Sequence, residues 1–169
     1  VLDIQNTKIN GLQQNLALKK YYTNAFQSRG FIRFDAVHAY AEKLIKQYDI
    51  RSGQGAETPV RSMSGGNQQK AIIAREIDLG PEVLVAVQPT RGLDVGATLY
   101  IHEQLIRVRD EGKAVLLVSL ELDEVFQLAD RILVIFEGAI VAELDAREAT
   151  AQELGLYMAG SKRENVVHE

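Results

Sequence analysis

The 169-residue sequence contains no cysteine. That excludes a disulfide framework and any thiolate-ligated metal site, and it fits a reducing compartment. Long apolar runs are also missing. The longest, such as residues 83–87 and 132–136, fall far short of the ~20 residues that a membrane-spanning helix needs. No excess of positive charge is present: the formal net charge is −4, so a nucleic-acid footprint is not expected. The opening VLDIQNTKIN has no positive stretch followed by an apolar one, and no signal peptide is read there. His38, His102 and His168 lie too far apart in sequence to form a metal-ligand spacing. What is present is ordinary for a globular domain. Hydrophobic residues make up 46% and charged residues 25%, enough to bury a core, and the length suits about one domain.

Several elements are legible from pattern. Val37, Ala41, Leu44 and Tyr48 fall at helical spacing after Asp35, which is expected to cap that helix. Residues 51–59, RSGQGAETP, read as a loop. A helix is expected to start near Gly65 and Gly66 and run without a breaker to Asp78. Beyond Pro81 the pattern changes to short apolar runs. Residues 83–87 and 114–118 are expected to be buried strands, and 131–136 a third, with a hairpin mate over 139–144 across Glu137-Gly138. Helices are expected over 95–109, 121–129 and 149–158, and a frayed tail from Gly160. Strands alternating with helices imply an α/β fold with a parallel sheet and a terminal hairpin.

The most specific segment is Met63-Ser64-Gly65-Gly66-Asn67-Gln68-Gln69-Lys70. Two glycines leave room for a ligand to approach the backbone. A serine hydroxyl stands beside them, and a helix start offers free N–H groups and the positive end of its dipole. The combination suits a phosphate, although Ser-Gly-Gly alone is more often a plain helix cap. Its context is more specific. Seventeen residues after Gly66 a strand begins, followed by Gln88-Pro89-Thr90-Arg91-Gly92-Leu93-Asp94, and the next strand runs into Ser119-Leu120-Glu121.

In this order and spacing the sequence resembles the ABC ATPase family from its signature motif onward. Ser64 to Gln68 match the signature, Pro89-Thr90 the pair after Walker B, and Gly92-Leu93-Asp94 the D-loop. SGGNQQK with PTRGLDVGA is similar to the ATP-binding subunits of simple-sugar and nucleoside importers, in particular their second nucleotide-binding domain. The resemblance is strong from about residue 58 to 160 and weaker before that. It implies the C-terminal half of an ABC-type P-loop NTPase domain, preceded by an α-helical subdomain. Residues 1–80 would be the helical subdomain with the signature, 81–160 the core half, and 161–169 a tail.

The sequence also departs from the family. No G-x-x-x-x-G-K-[ST] phosphate loop occurs, and the chain is expected to be a fragment that starts after it. Walker B usually ends in Asp-Glu; here Val87 and Gln88 stand at those positions, and Leu120 stands at the switch histidine. Valine offers no oxygen to Mg²⁺, and glutamine cannot take a proton from water.

The resemblance implies that Ser64, Gly65, Gly66, Asn67, Gln68 and Asp94 contact ATP held by a partner domain, while the chain's own Walker side is degenerate and holds no metal. ATP and Mg²⁺ are expected in the full-length complex and not on the isolated chain. Expected partners are a second nucleotide-binding domain, membrane permease subunits and further copies of the chain, at the cytoplasmic face of the membrane. Arg91 and Asp94 either link domains across the D-loop or form a solvated charge pair. Tyr21, Tyr22, Phe26, Phe31 and Phe34 form either a permease-facing patch or a local core. Glu103, Asp110 and Glu111 read as a solvated face. A non-transport ABC ATPase head and a non-catalytic interaction module remain alternative readings.

Overall fold

The computed structural model describes residues 11–162. The opening segment, His168 and all of the tail beyond residue 162 lie outside the described residues. The chain divides into two compact units, Val1–Leu84 with Pro89–Val115, and Val85–Gln88 with Leu116–Glu169.

The first unit is mainly helical. Helices α1 (Leu12–Ala17), α2 (Phe34–Gln47) and α3 (Gly65–Ile77) enclose a core of Leu12, Leu16, Ala41, Leu44, Tyr48, Val60, Met63 and Ala74. Leu44 and Tyr48 follow Ala41 at three- and seven-residue steps, so they share one face of α2 and its end, and all three are fully or nearly fully buried. Asp35 does not cap this helix. The cap position is Arg33, and Asp35 lies in the first turn, where its charge favours the positive end of the dipole. Between α1 and α2 a short hairpin pairs β1 (Gln27–Ser28) with β2 (Phe31–Ile32). Of the five aromatics read near this hairpin only Phe26 is buried. Tyr21, Tyr22, Phe31 and Phe34 are between 51% and 79% exposed, so they do not form a local core.

Helix α4 (Val95–Asp110) buries Ala97, Ile101, His102, Leu105 and Val108. Glu103, Asp110 and Glu111 are exposed, with Arg107 paired to Glu111 and Arg109 to Asp110.

Strands β3 (Val83–Val87) and β4 (Ala114–Val118) are hydrogen-bonded neighbours. The Ala114 N–H donates to Glu82 O at one end and the Gln88 N–H to Val118 O at the other, which makes the pair parallel. Complete burial of these apolar strands is not observed. Val83, Val85 and Val87 are 60%, 56% and 55% exposed, whereas Ala86 is buried. Alternate side chains point to opposite faces, and only one face of the pair is covered.

In the second unit β5 (Arg131–Phe136) pairs antiparallel with β6 (Ala139–Asp145), with a bulge between Val134 and Ile135. Among the described strands β5 bonds only to β6. Their turn, Glu137-Gly138, has positive φ at both residues, the backbone twist that suits a two-residue hairpin. Helices α5 (Leu122–Leu128) and α6 (Ala151–Met158) complete this unit, and Ile132, Val134, Val141, Ala142, Leu154 and Tyr157 form its core. Thr150 caps α6 by accepting from the Glu153 N–H, a Thr-x-x-Glu start.

Candidate functional site

Helix α3 begins where the sequence pattern places it. Ser64 is its cap residue, with extended backbone, and the first intrahelical bond runs from the Gln68 N–H to Ser64 O. The N–H groups of Gly65, Gly66 and Asn67 therefore have no partner within the helix. Ser64 does not use its hydroxyl to cap them. Its Oγ instead accepts from Asn67 Nδ2 at 2.9 Å, and Asn67 Oδ1 accepts from the Arg51 N–H at 2.7 Å. Gln68 turns the other way: its Nε2 donates to the carbonyls of Val60 and Met63, so it ties the helix start to the preceding 3-10 turn, Val60–Ser62.

One turn along, Lys70 Nζ donates to Asp49 O and Oδ2, both at 2.9 Å, and lies 4.3 Å from the centre of the Tyr100 ring. That ring contact is the geometry of a cation–π pair. The hydrogen bond and charge of Lys70 hold the Asp49 carboxyl below the usual range. Burial, with Tyr48 and Asp49 nearby, pushes the Tyr100 phenol up to about 12.

The start of α4 packs against the start of α3. Asp94 is the α4 cap and its Oδ1 accepts from the Ala97 N–H at 2.9 Å. Asp94 is thus engaged in its own helix, and its carboxylate also borders the glycines: a Cβ on Gly66 would lie 3.0 Å from the Ala97 Cβ and 3.9 Å from Asp94 Oδ2. A side chain at Gly66 would press on Ala97 and require the contact between the two helices to give by a few tenths of an ångström. Gly65, by contrast, would meet only Leu93, at 3.9 Å. Two open clefts, of about 640 and 440 Å³, share Arg51, Ser64 and Asn67 in their linings, and the smaller adds Lys70, Asp94 and Tyr100. This corner of the first unit offers unpaired helix N–H groups, a hydroxyl and an approachable glycine backbone, which fits a phosphate group.

The remaining positions lie in the second unit. Gln88 follows β3 with a φ of 49°, and its N–H is held by Val118 O. Val87 is 55% and Leu120 71% exposed. The Ser119 Oγ accepts from the Glu121 N–H, closing the turn that contains Leu120. None of these side chains supplies a carboxylate, and no cluster of three potential metal ligands occurs among the described residues.

No protein-family model matches the chain. The chain is 52% identical over 148 residues to the guanosine import ATP-binding protein NupO of Bacillus subtilis (strain 168), covering 88% of this chain and 29% of that protein. It is 41% identical over 150 residues to the glucose import ATP-binding protein TsgD13 of Haloferax volcanii, covering 88% of this chain and 27% of that one. The chain thus spans less than a third of the length of these relatives. The dimeric post-hydrolysis structure of the ATP-binding cassette MJ0796, bound to ADP and Pi, superposes with a TM-score of 0.67 at 22% identity, over 88% of this chain and 62% of that one. The chain belongs to the ABC family. Its fold is that of the ATP-binding cassette, with mixed helices, a parallel strand pair and antiparallel hairpins.

Within that fold, the positions read from the sequence fall into two groups. Ser64, Gly65, Gly66, Asn67, Gln68 and Asp94 come together in the first unit, whereas Val87, Gln88 and Leu120 belong to the second. Sequence reasoning missed Asp49, Arg51, Lys70 and Tyr100, which frame the first group. Lys70 was accessible to it, because it lies three residues after Asn67 on the same helix and so faces the same side. Arg51 contributes a backbone N–H, which no residue type announces.

Proposed function

We propose that this chain is part of the ATP-binding protein of an importer for nucleosides or simple sugars. Its signature corner completes the ATP site of a second nucleotide-binding domain, and its own Walker B and switch positions are degenerate. The observation that carries this reading is the helix start at Ser64, Gly65 and Gly66, open to an anion and packed on the Asp94-capped start of α4. The import class follows the relatives, one named for guanosine import and the other for glucose import.

ATP, bound mainly by the partner domain with its Mg²⁺, would supply the phosphoanhydride to be cleaved. Toward it Ser64 presents a hydroxyl, and Gly65, Gly66 and Asn67 present main-chain N–H groups. Phosphoryl transfer depends mostly on positioning and charge stabilisation, which such donors provide. Gln68 and Asp94 hold the loop and the neighbouring helix in place through the bonds described above. On the chain's own Walker side, Val87 lacks an oxygen for a metal, Gln88 cannot act as a base and Leu120 cannot donate, so hydrolysis there is slow or absent.

Residues 1–80 act as the helical subdomain and 81–160 as the core half. The exposed aromatics Tyr21, Tyr22, Phe31 and Phe34 make the face that meets a membrane permease subunit. Through that subunit the chain sits at the cytoplasmic face of the membrane; among the described residues no helix is long and apolar enough to cross it.

The test is Ser64→Ala in the full-length protein, reconstituted with its permease. Transport-coupled ATP turnover is expected to fall on the order of 100-fold, the effect of removing one donor from a preorganised charge-stabilising site. Unimpaired turnover would overturn the reading.

A further inference from the structure

We infer that Asn67 is a positioning residue that sets the direction of the Ser64 hydroxyl hydrogen, and that the main-chain N–H of Arg51 fixes Asn67 in that role. The inference rests on the proposed role of Ser64 at a partner's nucleotide.

The argument follows from which atoms can donate. A main-chain N–H can only donate, so the Asn67 atom that meets the Arg51 N–H at 2.7 Å must be the amide oxygen. The other end of the planar amide is then the NH₂ group, and it is this end that lies 2.9 Å from Ser64 Oγ. Ser64 therefore accepts from Asn67. One lone pair of its oxygen is occupied, and its hydrogen has to point elsewhere. The main-chain carbonyl of Ser64 is already used by the Gln68 N–H. Among the described residues no protein acceptor for the Ser64 hydroxyl is observed, and Ser64 is exposed on the wall of both clefts. The hydroxyl is left as an outward donor, the polarity that a phosphate oxygen requires.

Without this arrangement a serine hydroxyl samples three staggered positions and can turn back as a donor to a neighbouring oxygen. Arg51 and Asn67 are 16 residues apart, so the orientation of one hydroxyl depends on how residues 48–52 meet helix α3. Side-chain identity at position 51 has no part in this, since only its N–H is used.

The decisive variant is Asn67→Asp, close to isosteric with the native residue. One carboxylate oxygen still accepts from the Arg51 N–H, but the other now faces Ser64 Oγ as an acceptor. The Ser64 hydroxyl must then donate inward. In the full-length protein with its permease, Asn67→Asp is expected to lower kcat for ATP turnover about as far as Ser64→Ala, on the order of 100-fold, with the melting temperature unchanged. In a Ser64→Ala background it is expected to lower kcat by less than about twofold, because the group it acts through is gone. An equal loss in both backgrounds would mean that the added charge repels the phosphates, and would overturn the inference.

Asn67→Ala is the second variant and adds no charge. It frees the hydroxyl to rotate, and a loss of roughly threefold in kcat is expected from three staggered positions, again absent without Ser64. If Ser64→Ala lowers turnover but neither Asn67 variant does, the inference fails and the proposed function stands. If Ser64→Ala itself has no effect, both fail.

Discussion

Around Ser64 the polar side chains are tied to one another and to the backbone: Asn67 to Ser64 and Arg51, Lys70 to Asp49 and Tyr100, Asp94 to Ala97. At the end of β3 and in the loop after β4 the corresponding positions are Val87, Gln88 and Leu120, two of them apolar and exposed. On the proposed function, the contrast separates two jobs. On that reading, a preorganised set of donors meets a partner's nucleotide around Ser64, and Val87, Gln88 and Leu120 stand where groups for activating water would be needed on the chain's own side. A domain with this asymmetry can serve a neighbouring site while contributing little hydrolysis of its own.

The largest expected effect is the one that separates the two regions directly. Ser64→Ala should cost on the order of 100-fold in coupled turnover, whereas Leu120→Ala and Val87→Ala should change it by less than about twofold, since neither side chain can donate, accept or ligate. Equal losses in both regions would remove the distinction. Gln88→Glu sharpens it from the other side. A carboxylate restored at one position leaves Val87 without a metal ligand and Leu120 without a donor, so turnover from that site should stay within about threefold of the parent. Full recovery in this single variant would show that the second region is nearly intact.

Binding gives the next comparison. Calorimetric titration of Mg-ATP into this chain alone should show no association tighter than about 1 mM. Helix N–H groups and a hydroxyl meet only part of a triphosphate. Micromolar binding would place a phosphate site outside the groups discussed.

Much of this was legible in the sequence, and the limit was physical. From α2 onward the strand ends and helix starts follow hydrophobic period, and the expected elements lie within a few residues of those observed, whereas α1 and the short β1–β2 hairpin were not read from the pattern. The error over β3 and β4 has a clear origin. A run such as Val83-Leu84-Val85-Ala86-Val87 says that both faces are apolar, which sequence reasoning takes to mean that both are covered. Coverage depends on what packs there, and Val83, Val85 and Val87 remain open. Asp35 failed as a cap because Arg33 already occupies the non-helical position before the first turn. The aromatics near β1 and β2 were equally readable as core or surface, and only packing decided between the two.

Smaller effects probe how the first region is held. Asp94→Ala removes the bond to the Ala97 N–H and should cost about 1 kcal/mol of stability, read by denaturant titration. No comparable loss is expected from Leu120→Ala. The phenol of Tyr100 provides a pH signature. Its folded value of about 12 lies above the ordinary 10.0, so the folded state holds its proton more tightly. The stability this contributes is complete below pH 10 and declines as the pH rises from there toward about 12. Tyr100→Phe should therefore flatten the alkaline loss in denaturation curves. Part of the slope should survive, because burial raises Tyr40 and Tyr48 in the same direction.

The sequence by itself determined most of the elements from α2 onward, the position of the Ser-Gly-Gly helix start, and that Val87, Gln88 and Leu120, none of them acidic or imidazole-bearing, follow or end the apolar strands. These are properties of residue type and short spacing, which act within a turn or a strand. The tertiary structure decided that the Arg51 N–H meets Asn67, that Lys70 joins Asp49 to Tyr100, that Gly66 lies against Ala97, and that one face of β3 and β4 stays uncovered. Each of these depends on where a distant piece of backbone is brought by packing, and a main-chain N–H carries no mark in the sequence until something folds against it.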